Sequence, residues 1–123
     1  MTTTAPATPS ARITHEVTSW PGVTAGPGPR GEFGFRVGTR EIGHLHGDRV
    51  AHFGFPRAVW RELMDAGRIV RHPIGHDGWG ARAIAGPEDE AEVIALMRLN
   101  YDRATRGGRI PGEGRPDGGT VDT

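Results

Sequence analysis

The sequence predicts an α+β fold: an antiparallel meander sheet with two helices packed on one face, in the order β-β-β-β-α-β-β-α. Three observations predict it. Several short segments alternate apolar and polar residues, two longer segments carry an apolar stripe at the helical period, and the strands follow one another in meander and hairpin runs with no βαβ unit. A chain of 123 residues with 35% hydrophobic content supports one modest core, because its 20 Gly and 10 Pro gather at the ends and between patterned segments. That single domain is expected over residues 11–106, between disordered tails at residues 1–10 and 107–123.

The first strand is read at residues 12–18, RITHEVT, where Ile13, His15 and Val17 alternate with Thr14, Glu16 and Thr18. Trp20-Pro21-Gly22-Val23 breaks it, and GPGPRG at 26–31 reads as a loop. Phe33, Phe35 and Val37 alternate with Glu32, Gly34 and Arg36 in the second strand, and Gly38-Thr39 turns the chain into the third, residues 40–46. With Gly47 and Asp48 as a two-residue hairpin loop, His46 faces Arg49, His44 faces Ala51 and Ile42 faces Phe53. On that parity Ile42, His44, His46, Arg49, Ala51 and Phe53 share one side, and Glu41, Gly43, Leu45, Val50 and His52 the other. His52 is then turned away from His44 and His46; a three-residue loop reverses the parity.

Pro56 suits the first turn of a helix running to about residue 66, with Val59, Trp60, Leu63 and Met64 as its stripe and Gly67 as its stop. Residues 68–72 and 79–84 form a hairpin across the polar loop PIGHDG at 73–78. Glu88, Asp89 and Glu90 favour a helix start, and Ala91, Ile94, Ala95, Leu96, Leu99 and Tyr101 give the final helix, about 87–105, a broad apolar face.

Fifteen basic residues against fifteen acidic ones, with no block of either sign, lack the footprint of a nucleic-acid binder. All fifteen are Arg, which fits the codon bias of a GC-rich bacterial genome. Without Cys there is no thiolate nucleophile, disulfide or Cys-ligated metal. No apolar run reaches membrane-spanning length and residues 1–12 do not read as a leader, so a cytoplasmic chain with no membrane partner is expected. The single glycines fit no phosphate-binding pattern.

His44 and His46, two apart on one strand, are the chemistry-bearing pair. They would present two imidazoles to one ion, but a third ligand would have to come from Asp48, His72, His76 or Asp77 through convergence of two loops, so no metal is assigned. An imidazole titrating near neutrality is also a candidate general base, with Arg36 or Arg49 steadying a substrate anion. The structural alternative has both rings bonded to backbone or to Glu41. In the second loop His72, His76 and Asp77 precede Trp79, which reads as an aromatic core anchor; Trp60 and Tyr101 also read as core. Trp20 either caps one end of the sheet or lines a pocket.

GVTAG at 22–26, EIGHLHGD at 41–48, FGFP at 53–56, AGR at 66–68, His72-Pro73, Gly78-Trp79 and LMRLNYDRA at 96–104 together resemble the luciferase-domain family over roughly residues 13–105. That family of short bacterial proteins takes its name from fungal luciferases, which oxidise a hydroxylated pyrone with molecular oxygen and use no metal or organic cofactor. The resemblance implies a small organic molecule as partner and cofactor-independent oxygenation as the activity. The element order also resembles, more distantly, the small YjbR-like domains. Residue chemistry and resemblance together make His44 and His46 the candidate catalytic pair, and Arg36, Glu41, Arg49, His72 and Trp79 the candidate substrate contacts. A non-enzymatic binding or interaction module and a His-ligated metal enzyme remain alternatives.

Overall fold

The computed structural model describes residues 6–73 and 75–106, so residues 1–5 of the predicted N-terminal tail and the whole C-terminal tail lie outside the described residues, while Pro9 and Ser10, expected in that tail, open a helix. Its elements are α1 (Pro9–Val17), β1 (Val23–Pro27), β2 (Phe33–Val37), β3 (Arg40–His46), β4 (Val50–Gly54), α2 (Arg57–Asp65), β5 (Val70–Arg71), β6 (Trp79–Ala83) and α3 (Pro87–Ala104). All six strands pair antiparallel in the order β1-β2-β3-β4-β6-β5. The expected α+β class and antiparallel meander are present, with three helices.

Two elements near the N-terminus differ from the sequence reading. Of residues 12–18, read as a strand, 12–17 are helical and Thr18 caps the helix, because the Thr8 side chain accepts from Ala11 N at 3.1 Å and Pro9 sits where a missing N–H costs nothing. Ile13 and Val17 are four apart, a spacing that satisfies both a strand face and a helix stripe; both are fully buried, whereas His15, expected on the apolar face, is exposed. Residues 23–27, read as chain break and loop, form β1. It is an edge strand, where Gly26 and Pro27 cost the ladder little.

One face of the sheet carries the core. Phe35, Val37, Ile42, Leu45, Ala51 and Phe53 meet Ile13 and Val17 of α1, Trp60 and Leu63 of α2, and Val93, Leu96, Met97 and Tyr101 of α3. Trp60 and Tyr101 are core residues as expected, and Trp20 is buried beside Tyr101 with ring centroids 5.3 Å apart. Tyr101 Oη donates to Pro21 O at 2.6 Å, tying α3 to the approach of β1.

Two details of β3 fix what its other face presents. The register to β2 shifts between Phe35 and Arg36: Phe35 faces Gly43 while Arg36 faces Glu41, so Ile42 is the extra residue of a bulge. Buried Asn100 of α3 holds this point, its Nδ2 donating to Ile42 O at 3.3 Å and Gly54 O at 3.0 Å. Gly43 is packed so closely that a Cβ would lie 3.0 Å from the Phe53 ring and 3.1 Å from the Met97 methyl. The bulge resets the alternation, so Glu41 and His44, three apart, share the outer face.

Candidate functional site

The hairpin turn decides which histidines meet. His46 pairs with Val50, Leu45 with Ala51 and His44 with His52, so the loop is Gly47-Asp48-Arg49, three residues long. Gly47 takes the left-handed conformation at its first corner, φ 61°. The two-residue parity is therefore corrected: Leu45, Ala51 and Phe53 point into the core, and His52 joins His44 and His46 on the outer face. The physical reason is burial, since this register puts Leu45 on the same face as Ala51 and Phe53, and all three are buried.

On that face the rings lie edge to face or tilted, with centroids 5.1 Å apart for His44–His46, 5.3 Å for His44–His52 and 4.7 Å for His46–His52. One ring nitrogen from each lies within 4.8 Å of the other two. His72, just past β5, comes within 4.1 Å of His52, and the Trp79 ring stands 6.4 Å from His44 and 6.1 Å from His72. Four imidazoles from two hairpins thus form one patch.

Electrostatics keeps the middle of this patch neutral. Burial, then the neighbouring His72, His46 and His44, pushes the His52 imidazole down to about 4, and burial with His44 and His46 lowers His72 as well. His52 Nδ1 is buried and has no hydrogen-bond partner. His44 is oriented differently: its Nδ1–H donates to Glu41 Oε2 at 2.8 Å, because an ionised carboxylate can only accept. In the neutral ring the lone pair is then on Nε2.

Beside the patch is a cleft of about 290 Å³, lined by the outer side of β1, the loop after it, Glu32, Gly34, Arg36 and Glu41. Glu41 joins the two, one carboxylate lining the cleft and holding His44. A larger groove of about 590 Å³, between α1 and the β2–β3 end, has Thr14, His15, Phe33 and Leu45 in its walls. None of the four clustered imidazoles is in the wall of either, but the 290 Å³ cleft includes Glu41, the carboxylate bonded to His44, and the larger groove does not.

The luciferase-domain family model matches residues 39–100, half of the chain and all of this hairpin. The chain belongs to the luciferase-domain family. No curated protein and no solved structure gives a significant match.

Within the luciferase domain, the anticipated residues separate into two groups. His44, His46, Glu41, His72 and Trp79 come together on the outer face, with Arg36 paired opposite Glu41 in the adjoining cleft. Arg49 does not join them; it lies exposed in the turn, and its backbone carbonyl accepts from Ile84 N. Asp48 and Asp77, considered as third ligands, are engaged elsewhere: Asp48 accepts from Ser10 N at 2.8 Å, and Asp77 pairs with Arg71 at 2.7 Å. Trp79 is no core anchor, being 37% exposed, although its backbone carbonyl accepts from Trp60 Nε1 at 2.9 Å. The residue missed is His52, and the signal that finds it was available: in VAHFGF, Ala51, Phe53 and Phe55 form the apolar alternation and leave His52 opposite.

Proposed function

We propose that this luciferase domain binds a small organic molecule in the cleft beside Glu41 and oxidises it with molecular oxygen at the adjoining imidazoles. The observation that carries the reading is the Glu41–His44 pair, 2.8 Å apart, placed where the cleft meets the histidine patch. Oxygen reacts with electron-rich anions, so the domain's first task is to take a hydroxyl proton from the substrate. A carboxylate on Nδ1 fixes the ring and leaves Nε2 to accept that proton, while the Arg36 guanidinium in the cleft wall steadies the anion that forms. His46 and His72 border the same face, and Trp79 gives an aromatic wall against which a flat molecule can lie.

The test is oxygen uptake with a panel of hydroxypyrones and polyphenols, comparing wild type with His44→Ala, His46→Ala and Glu41→Gln. The reading expects His44→Ala to lose about 100-fold or more in rate, the usual contribution of a positioned base, and Glu41→Gln to lose less. Equal rates in all four proteins would overturn it. Tight substrate binding without oxygen uptake by any of them would make the domain a non-enzymatic binding module.

A further inference from the structure

The outer face of β3 and β4 holds three imidazoles that the proton-transfer reading does not need as a trio. A single base with its carboxylate would serve that chemistry. His44, His46 and His52 pack with ring centroids 4.7–5.3 Å apart, and His52 Nδ1 is buried without a hydrogen-bond partner. Buried polar atoms in folded proteins are nearly always satisfied, and an orphan among nitrogen ligands points to a cation.

We infer that His44, His46 and His52 form a binding site for one divalent first-row transition-metal ion. Three observations support this. One nitrogen from each ring lies within 4.8 Å of the others, whereas an ion at about 2.0–2.1 Å from each nitrogen holds them about 3.3 Å apart, a contraction that ring rotations supply. Glu41 accepts from His44 Nδ1–H, the carboxylate–imidazole arrangement that fixes a ligating ring and makes its other nitrogen a better donor. The three residues sit on two directly paired strands, with Leu45, Ala51 and Phe53 anchored in the core between them, so the backbone that carries the ligands is rigid.

Neutral nitrogen ligands favour zinc, iron, copper, cobalt or nickel over calcium or magnesium, which require oxygen-rich shells. Three protein ligands on a half-open face leave a coordination position for water or a substrate oxygen, the pattern of catalytic sites and not of closed structural ones. This inference goes beyond the proposed function and stands without it. With an ion bound, His44, His46 and His52 would hold it, and it would supply Lewis-acid polarisation of an oxygen placed at the open position.

The experiment uses full-length chain stripped with chelator and titrated with zinc by calorimetry and with cobalt(II) by visible absorption. Wild type is expected to take up one equivalent, with cobalt bands of nitrogen ligation. His46→Ala and His52→Gln should each weaken zinc at least tenfold, Glu41→Gln about tenfold or more, and His15→Ala and His76→Ala not at all. Circular dichroism confirms folding, and if His52→Gln does not fold, His46→Ala decides. Absence of saturable uptake by wild type, or uptake unchanged in His46→Ala, overturns the inference. Oxygen uptake by the stripped protein separates the two proposals: turnover without metal binding removes the ion and keeps the proposed function, and metal binding without turnover on any substrate does the reverse.

Discussion

Gly43 shows how one residue sets the site. Its missing side chain lets the Phe53 ring and the Met97 methyl close over β3 directly beside the bulge that turns Glu41 toward His44. Gly43→Ala must displace one of these packed groups, and the expected cost is about 1–3 kcal/mol, read as a lower urea midpoint at unchanged slope. Asn100 is the second such residue. Asn100→Ala leaves the buried Ile42 O and the part-buried Gly54 O without their side-chain donor, with an expected loss of about 1–3 kcal/mol. Neither role was legible in the sequence: strand alternation puts Glu41 and His44 on opposite faces, and only the extra residue at Ile42 reunites them. His44 and His46 were legible, because their i, i+2 spacing fixes a shared face whatever the loop.

At the scale of elements, the β3–β4 turn controls the composition of the patch. Removing Asp48 shortens the loop to two residues and slides β4 by one position, which sends His52 inward and Ala51 and Phe53 outward. The deletion is expected to abolish cooperative unfolding, whereas Asp48→Asn, which keeps the loop length and an acceptor for Ser10 N, is expected to unfold cooperatively. Loop length was the point the sequence left open, since Gly47-Asp48 suits a two-residue turn as well as the first part of a three-residue one. The final helix was legible from its acids, and one of them has a pH signature. Asp89 accepts from Ala85 N at 2.8 Å and from Arg82 at 2.6 Å, and these bonds, the backbone one first, hold its carboxyl below the usual value. A depressed carboxyl contributes stability above its unfolded pKa, about 3.9, and loses it as pH falls through the folded one. Asp89→Asn should therefore be less stable than wild type at pH 7 and converge with it in strong acid, as followed by denaturation midpoints across that range.

For the whole molecule, the sheet divides stability from chemistry. Its inner face meets all three helices in one core, while the outer face carries the imidazoles, the Glu41 cleft, Trp79 and Val70, which is 62% exposed. Among the described residues no helix is long and apolar enough to cross a membrane. The α+β class was legible because period-two segments and two amphipathic helices are independent of fine register. Convergence of His72 and Trp79 with the hairpin histidines was not, because β6 pairs with β4 across two intervening elements and no local signal specifies that partner.

Both proposed chemistries are placed on a patch that needs His44, His46 and His52 on one face, and a cysteine cross-link tests that most directly. The chain has no Cys, so His44→Cys/His52→Cys introduces a single possible intramolecular bond between residues paired across β3 and β4. Directly paired strand residues lie within disulfide reach, whereas residues on opposite faces of a sheet do not. Mild oxidation of the folded variant is predicted to remove two hydrogens from the monomer's mass and raise its melting temperature. A folded variant that keeps two free thiols, or cross-links only between molecules, would contradict the account.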